Sequence, residues 1–177
     1  MAGHARLVDG DTIEIAGQSV RLHGIDAPES SQHCLDVDGN LFSCGGLAAD
    51  TLGRMIAGRK VVCTGDERDR YGRLIAVCRV GGVDLNARMV RLGLAVAYVK
   101  YSDDYLPHEV EAAEAHRGLW AGTFQPPAEY RAARRQARSV APPATAPEGC
   151  RIKGNISGNG RIYHMPGSLW YGRTRIS

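Results

Sequence analysis

The chain reads as an α+β fold: five short strands closed into a small barrel, three helices packed on it, and a small C-terminal appendage. Three observations predict this. Short apolar runs with period-two alternation recur through the first two thirds of the sequence, separated by Gly, Asp and Asn. Segments with apolar residues at helical spacing, each closed by a glycine, lie among those runs. Beyond residue 122 the composition shifts to Arg, Pro and Ala, then to Gly and aromatics.

Residues 5–15 and 19–25 read as strands joined by a turn at Ala16-Gly17-Gln18, with alternation in Thr12-Ile13-Glu14-Ile15 that buries the isoleucines. Residues 26–45 read as a loop. Within it, Asp36 to Asn40 has the acidic spacing of a calcium loop but lacks that loop's Gly at position 6 and Glu at position 12, so it is taken as a turn. Residues 46–57 carry Leu47, Ala48, Leu52, Met55 and Ile56 at helical spacing, with Gly58 as the stop. Lys60 to Thr64 and Leu74 to Val80 are strands around the turn Arg68 to Gly72, and Gly81-Gly82 is a further turn. Asp84 can cap a helix from Leu85 to Leu92 that ends at Gly93. Leu94 to Val99 is extended, and His108 to Arg117 is a helix stopped at Gly118, with Leu119-Trp120 folding back on the body. Five strands with an intervening helix fit an OB-type barrel, an architecture that binds oligonucleotides across one face.

The 177 residues, 44% hydrophobic and 23% charged, suffice for one domain with an appendage, and no run is apolar enough to span a membrane. The sequence begins almost at its first strand, so a leader absent from this chain is expected. Residues 1–122 hold 13 Lys and Arg against 17 Asp and Glu, whereas residues 123–177 hold 9 against 2. The body is therefore no general sink for polyanions, and any phosphate binding there must come from a few placed cations. The basic tail could hold a polyanion by counterion release.

Cys34 and Cys44 bracket one polar loop. Cys63 and Cys78 lie on the arms of a hairpin whose mirror point falls between Arg70 and Tyr71, so they face each other. Two disulfides, Cys34–Cys44 and Cys63–Cys78, and an oxidising compartment follow. Cys150 is left over. No Cys-x-x-Cys occurs, which argues against zinc.

Two strand ends carry carboxylates where a sheet would not choose them. Asp9-Gly10-Asp11 heads the strand Thr12 to Ile15, and Asp26 ends the apolar run Leu22 to Ile25 before Pro28 stops further pairing. Converging carboxylates repel unless a cation lies between them, and such hard oxygen ligands favour Ca²⁺ or Mg²⁺. Glu29 follows the rigid Pro28, and Arg21 begins the strand that leads to Asp26.

Val8-Asp9-Gly10-Asp11-Thr12, then Arg21-Leu22 through Ile25-Asp26-Ala27-Pro28-Glu29, then Tyr71-Gly72-Arg73 follow in order, and over residues 6–120 the chain resembles the staphylococcal nuclease family. That resemblance implies the OB-type barrel and hydrolysis of phosphodiesters in DNA or RNA, with one Ca²⁺ and products ending in 3′-phosphate; Mg²⁺ or Mn²⁺ could replace the ion. It implies Asp11, Asp26 and the backbone carbonyl of Ala27 as ion ligands, with Asp9 acting through water. Arg21 and Arg73 would bind the phosphate, and Glu29 would be the base or orient the attacking water. Tyr71 belongs to the third motif and is placed with the substrate contacts. Tyr98 holds the position of a tyrosine packed against the nucleotide; a second would fall at Lys100, with Tyr101 beside it. The family's lysine-bearing loop aligns with the Cys34–Cys44 loop, which has no lysine.

The expected organisation is thus a barrel domain at 1–122, a basic helix and Pro/Ala linker at 123–149, and a Gly- and aromatic-rich piece at 150–177 similar to a short module appended to some bacterial nuclease-like proteins. A monomer in the periplasm or secreted is expected. Two rivals stay open: an OB barrel that binds nucleic acid or peptide without catalysis, and a scaffold whose basic tail does the binding.

Overall fold

The barrel wall is built by β1 (Ala2–Asp9), β2 (Thr12–Ile15) and β3 (Gln18–Leu22), which run as an antiparallel meander. The alternation read from the sequence holds here: Ile13, Ile15, Val20 and Leu22 are buried, while Glu14 and Arg21 are turned away from the core. Ala16 and Gly17 both take positive φ, as a two-residue hairpin turn requires. The computed structural model describes residues 1–140, 153–157 and 160–164. Two compact units result, Met1–Ala133 and Arg134–Ser177.

After β3 the chain makes β4 (Ile25–Asp26), a small hairpin of β5 (Cys34–Leu35) and β6 (Leu41–Phe42), and α1 (Cys44–Ile56), capped by the Ser43 hydroxyl accepting from Gly46 N. Next come β7 (Lys60–Thr64), β8 (Leu74–Val80), β9 (Val83–Asp84) and α2 (Leu85–Arg91), whose Asp84 carboxylate caps Ala87 N. Then follow β10 (Val96–Ala97), α3 (Leu106–Glu114), a 3-10 turn at Gly118–Ala121 and α4 (Pro127–Val140). The wall runs β3-β2-β1-β7-β8, and a parallel β3–β8 pairing closes it into a five-stranded barrel. The expected OB-type α+β architecture is therefore present, with four helices among the described residues.

The barrel's membership differs from the sequence reading. Residues 5–15 are two strands, broken at Gly10-Asp11, and β1 already begins at Ala2. A Cβ on Gly10 would stand 2.9 Å from Ala27 Cβ and 3.1 Å from Ala48 Cβ, so the chain bends where α1 and the Ala27 segment crowd it. Conversely, Leu94 to Val99 is not a barrel stave; only Val96 and Ala97 pair, with Asp26 and Ile25. α3 lies earlier than the His108–Arg117 reading, because Pro107 is accepted in the first turn and positive φ at His116 and Gly118 turns the chain out.

One core, made by the barrel interior with Ala48, Leu52 and Ile56 of α1 and Met89 and Val90 of α2, supports both strand ends that carry carboxylates. Both disulfides are formed. Cys63–Cys78 bridges directly opposed residues of β7 and β8, and closing its 15-residue separation is worth about 3 kcal/mol. Cys34–Cys44 ties the β5–β6 hairpin to the start of α1.

Asn86 is fully buried and fully bonded: its Oδ1 accepts from Cys78 N, and its Nδ2 donates to the carbonyls of His23 and Ala76. It pins α2 to β8 and to the turn that leads into Asp26. In the second unit, β11 (Lys153–Ser157) and β12 (Gly160–His164) pair as an antiparallel hairpin. The Pro/Ala linker, Cys150, Trp170 and Tyr171 lie outside the described residues.

Asn86→Ala removes three hydrogen bonds to backbone groups, the buried Cys78 N among them, and stability should fall by about 2–3 kcal/mol in urea unfolding; an unchanged midpoint would contradict this bracing role.

Candidate active site

Asp11 sits at the bend between β1 and β2 with a buried carboxylate, 4% exposed. Its Oδ1 accepts from Thr12 Oγ1 (3.0 Å) and its Oδ2 from Ala27 N (2.9 Å), while Leu22 N donates to its backbone carbonyl (2.9 Å). These bonds lock the bend against the segment that follows β4. Asp26 ends β4 opposite Val96 and is 1% exposed.

Arg21 joins the two carboxylates. It faces away from the core on β3; its NH1 pairs with Asp11 Oδ1, and its NH2 donates to Asp26 Oδ1 (2.9 Å) and to the Ile25 carbonyl (3.2 Å). Burial works against the guanidinium's charge, but the two carboxylates more than offset it and hold Arg21 above the usual arginine range. Two buried acids thus converge on one positive charge.

Glu29 is brought to the same place by a tight turn. Gln32 N donates to the Glu29 carbonyl (2.7 Å), and the buried Gln32 side chain accepts from Glu29 N (3.3 Å). Gly45 lies so close that a Cβ there would overlap the Glu29 carbonyl, so the start of α1 sets the position of this turn. Gln32 Nε2 also donates to the Gln125 carbonyl (2.7 Å), fastening the chain just before α4.

From α4 comes a side chain that sequence reasoning passed over. Arg131 NH1 donates to Asp26 Oδ1 (3.0 Å) and to Glu29 Oε1 (3.1 Å), and its NH2 donates to Asp26 Oδ2 (2.8 Å). Burial opposes its charge, yet bonding to Asp26 and Glu29 holds it well above the ordinary arginine range. The sequence marks a basic helix here, but nothing in it distinguishes Arg131 from Arg134, Arg135 or Arg138.

The other expected residues are placed as follows. Asp9 Oδ1 accepts from Gly10 N (2.8 Å) and Ser30 Oγ (2.7 Å), tying the end of β1 to the Glu29 turn. Arg73 shares the face of Arg21, since Arg21 is in register with Ile75, but its guanidinium is held by Asp69 (2.6 Å) rather than by Asp11 or Asp26. Asp69 is the turn cap of that hairpin and accepts from the amides of Tyr71 and Arg73. Tyr71 is exposed between the Arg70 and Arg73 guanidiniums, 4.8 and 5.4 Å from its ring centre. Tyr98 N donates to the Gly24 carbonyl (2.8 Å), which keeps its ring near β4; the ring packs edge-on against Tyr101 (4.8 Å), over which Lys100 stands. His23, in the turn between β3 and β4, pairs with Asp104 (3.2 Å) at the surface.

Among the described residues no group of three or more His, Cys, Asp or Glu could hold a metal ion. The protein side chains thus offer two carboxylates, Asp11 and Asp26, and further ligands would be a carbonyl such as that of Ala27 and waters. Two buried acids already gathered round positive charge suit a hard divalent cation, not zinc or copper.

Residues 19–122, more than half of the chain, match the family model described as staphylococcal nuclease homologue. The chain belongs to that family. Arg21, Asp26, Glu29 and Arg73 fall within the matched stretch; Asp9 and Asp11 precede it and Arg131 follows it. This staphylococcal nuclease homologue is 45% identical over 96 residues to the succinoglycan biosynthesis protein ExoI of Rhizobium meliloti (strain 1021), covering 53% of this chain and 50% of that protein. It is 37% identical over 123 residues to an uncharacterized endonuclease of Escherichia coli O157:H7, covering 66% and 74%. With the SPbeta prophage-derived endonuclease YokF of Bacillus subtilis (strain 168) it shares 33% over 128 residues, 66% of this chain and 42% of that one. The chain therefore spans only half the length of the first of these relatives.

Gly45→Ala forces the Glu29 turn away from α1 and should cost about 1–3 kcal/mol, read from the denaturation midpoint; a variant as stable as the wild type would show that the turn is not held by this contact.

Proposed function

We propose that the chain is a nuclease that hydrolyses phosphodiester bonds of DNA or RNA with the help of one divalent ion, Ca²⁺ in first place. The observation that carries this reading is the convergence of buried Asp11 and Asp26, joined through Arg21, with Glu29 linked to the same cluster by Arg131. Well-packed apolar residues would serve a core as well as these ion pairs, so two buried acids kept beside Glu29 speak for a use beyond stability. An ion held by Asp11, Asp26 and the Ala27 carbonyl would neutralise charge growing on the phosphoryl oxygens.

Arg21 donates to a phosphoryl oxygen as its charge rises, and its fixed place in the barrel wall makes it preorganised for that role. Glu29 takes a proton from the attacking water or orients it. Attack at phosphorus with loss of the 5′-oxygen leaves a 3′-phosphate. Arg73 joins only if its guanidinium leaves Asp69 for the substrate, a short swing on the shared face. Tyr98, Lys100 and Tyr101, beside β4, form a platform for a base and its phosphate, with Tyr71 on the other hairpin; stacking of this kind is worth about 1–3 kcal/mol per base. Asp9 supports the ion through water while it ties the Glu29 turn.

Two disulfides suit an oxidising setting, the periplasm or outside the cell. Among the described residues no helix is long and apolar enough to cross a membrane. We take the chain to act as a monomer.

The test is cleavage of an end-labelled single-stranded oligonucleotide with Ca²⁺, with Mg²⁺ and with chelator. Chelator should abolish cutting, and Arg21→Ala should lower kcat by about 10²–10³. Asp26→Asn, which keeps the shape but not the charge, should lose activity; cutting at the wild-type rate by that variant would sink the assignment, and tight oligonucleotide binding without any cutting would favour the binding-module reading.

A further inference from the structure

Arg131 stands 105 residues from Asp26 in sequence, yet takes both of its carboxylate oxygens and reaches Glu29 with the same guanidinium. α4 is fastened beside the site by bonds that use neither acid: Gln32 Nε2 to the Gln125 carbonyl (2.7 Å), and Tyr130 OH to the Ser31 carbonyl (3.2 Å). The helix is docked, and its arginine is aimed into the cluster.

We propose that Arg131 is a tethered competitor of the divalent ion, so that its fork on Asp26 and binding of the ion there exclude one another. A carboxylate offers about four lone-pair directions, and three donors already occupy those of Asp26: one from Arg21 and two from Arg131. The two guanidiniums also supply the positive charge that the buried acids demand, which is what an ion would otherwise bring. They differ in freedom. Arg21 belongs to β3 in the closed barrel wall, and its side chain is 16% exposed. Arg131 lies on a helix outside that wall, and its side chain is 27% exposed. Arg131 is therefore the one that can withdraw. Its bidentate fork on Asp26 is a geometry lysine cannot reproduce. Linkage is reciprocal: whatever the Arg131 fork takes from ion affinity, the ion takes from the fork. The device makes the site's readiness depend on α4, whose remainder continues into the second unit.

This inference rests on the ion-site reading, and the experiment separates the two. The 177-residue chain, stripped with chelator and free of nucleic acid, is titrated with CaCl₂ by calorimetry and by competition with a fluorescent calcium chelator. Arg131→Gln should bind Ca²⁺ more tightly than the wild type by about tenfold, within the 5–150-fold usual for coupled sites. Arg131→Lys, which keeps the charge and the helix but loses the fork, should fall between. Equal or weaker affinity in Arg131→Gln, with wild-type binding intact, overturns the competition alone. No binding by either protein overturns the ion site and the competition with it.

Discussion

Two acids buried at the meeting point of two strand ends are the constraint on which the rest of the structure depends. Unit charges 4 Å apart interact by about 4 kcal/mol at an effective dielectric of 20, and neither Asp11 nor Asp26 has enough exposed surface to shed that repulsion into water. The fold answers with positive charge. Arg21 is fixed between them from the barrel wall, and Arg131 is added from α4. Removing one partner of a buried pair typically costs about 3–5 kcal/mol, so these contacts are held together by mutual need. Such a cluster does not arise for stability alone, since well-packed apolar residues would serve a core equally well.

The remainder of the first unit can be understood as support for that cluster. Barrel closure through β3 and β8 fixes Arg21. Asn86 pins the turn ahead of Asp26, and the Asp11 carbonyl holds Leu22 N. Gly10 and Gly45 permit close approaches that place Ala27 and Glu29. The Cys34–Cys44 bridge anchors the far end of the same loop at α1. These devices act on backbone, and they come from separate elements, so the acids are held converged from several sides.

Much of this was legible in the sequence. Strands β7 and β8, the Asp84 cap and the facing of Cys63 and Cys78 follow from local pattern, because period, turn residues and hairpin symmetry are local properties. The break at Gly10-Asp11 was not, since it is imposed by Ala27 and Ala48 pressing from distant segments. The motifs brought Asp11, Arg21, Asp26 and Glu29 into one reading, and the structure does gather these four. It does not gather Arg73, whose hairpin offers Asp69 four residues away as a nearer partner. Arg131 was invisible because its contact depends on where a helix docks, and helical periodicity reports a face without naming its neighbour. Gln32 escaped for a related reason: a buried glutamine in a loop shows its purpose only once both of its partners are in place.

The most direct measurement is anomalous diffraction from crystals soaked in Mn²⁺ or Ca²⁺. The account predicts one strong peak touching carboxylate oxygens of both Asp11 and Asp26, at about 2.1–2.6 Å as such ions require, with the Arg131 guanidinium displaced from Asp26. A peak at any other place, or Asp26 still bound to both Arg21 and Arg131 in saturating ion, would contradict it.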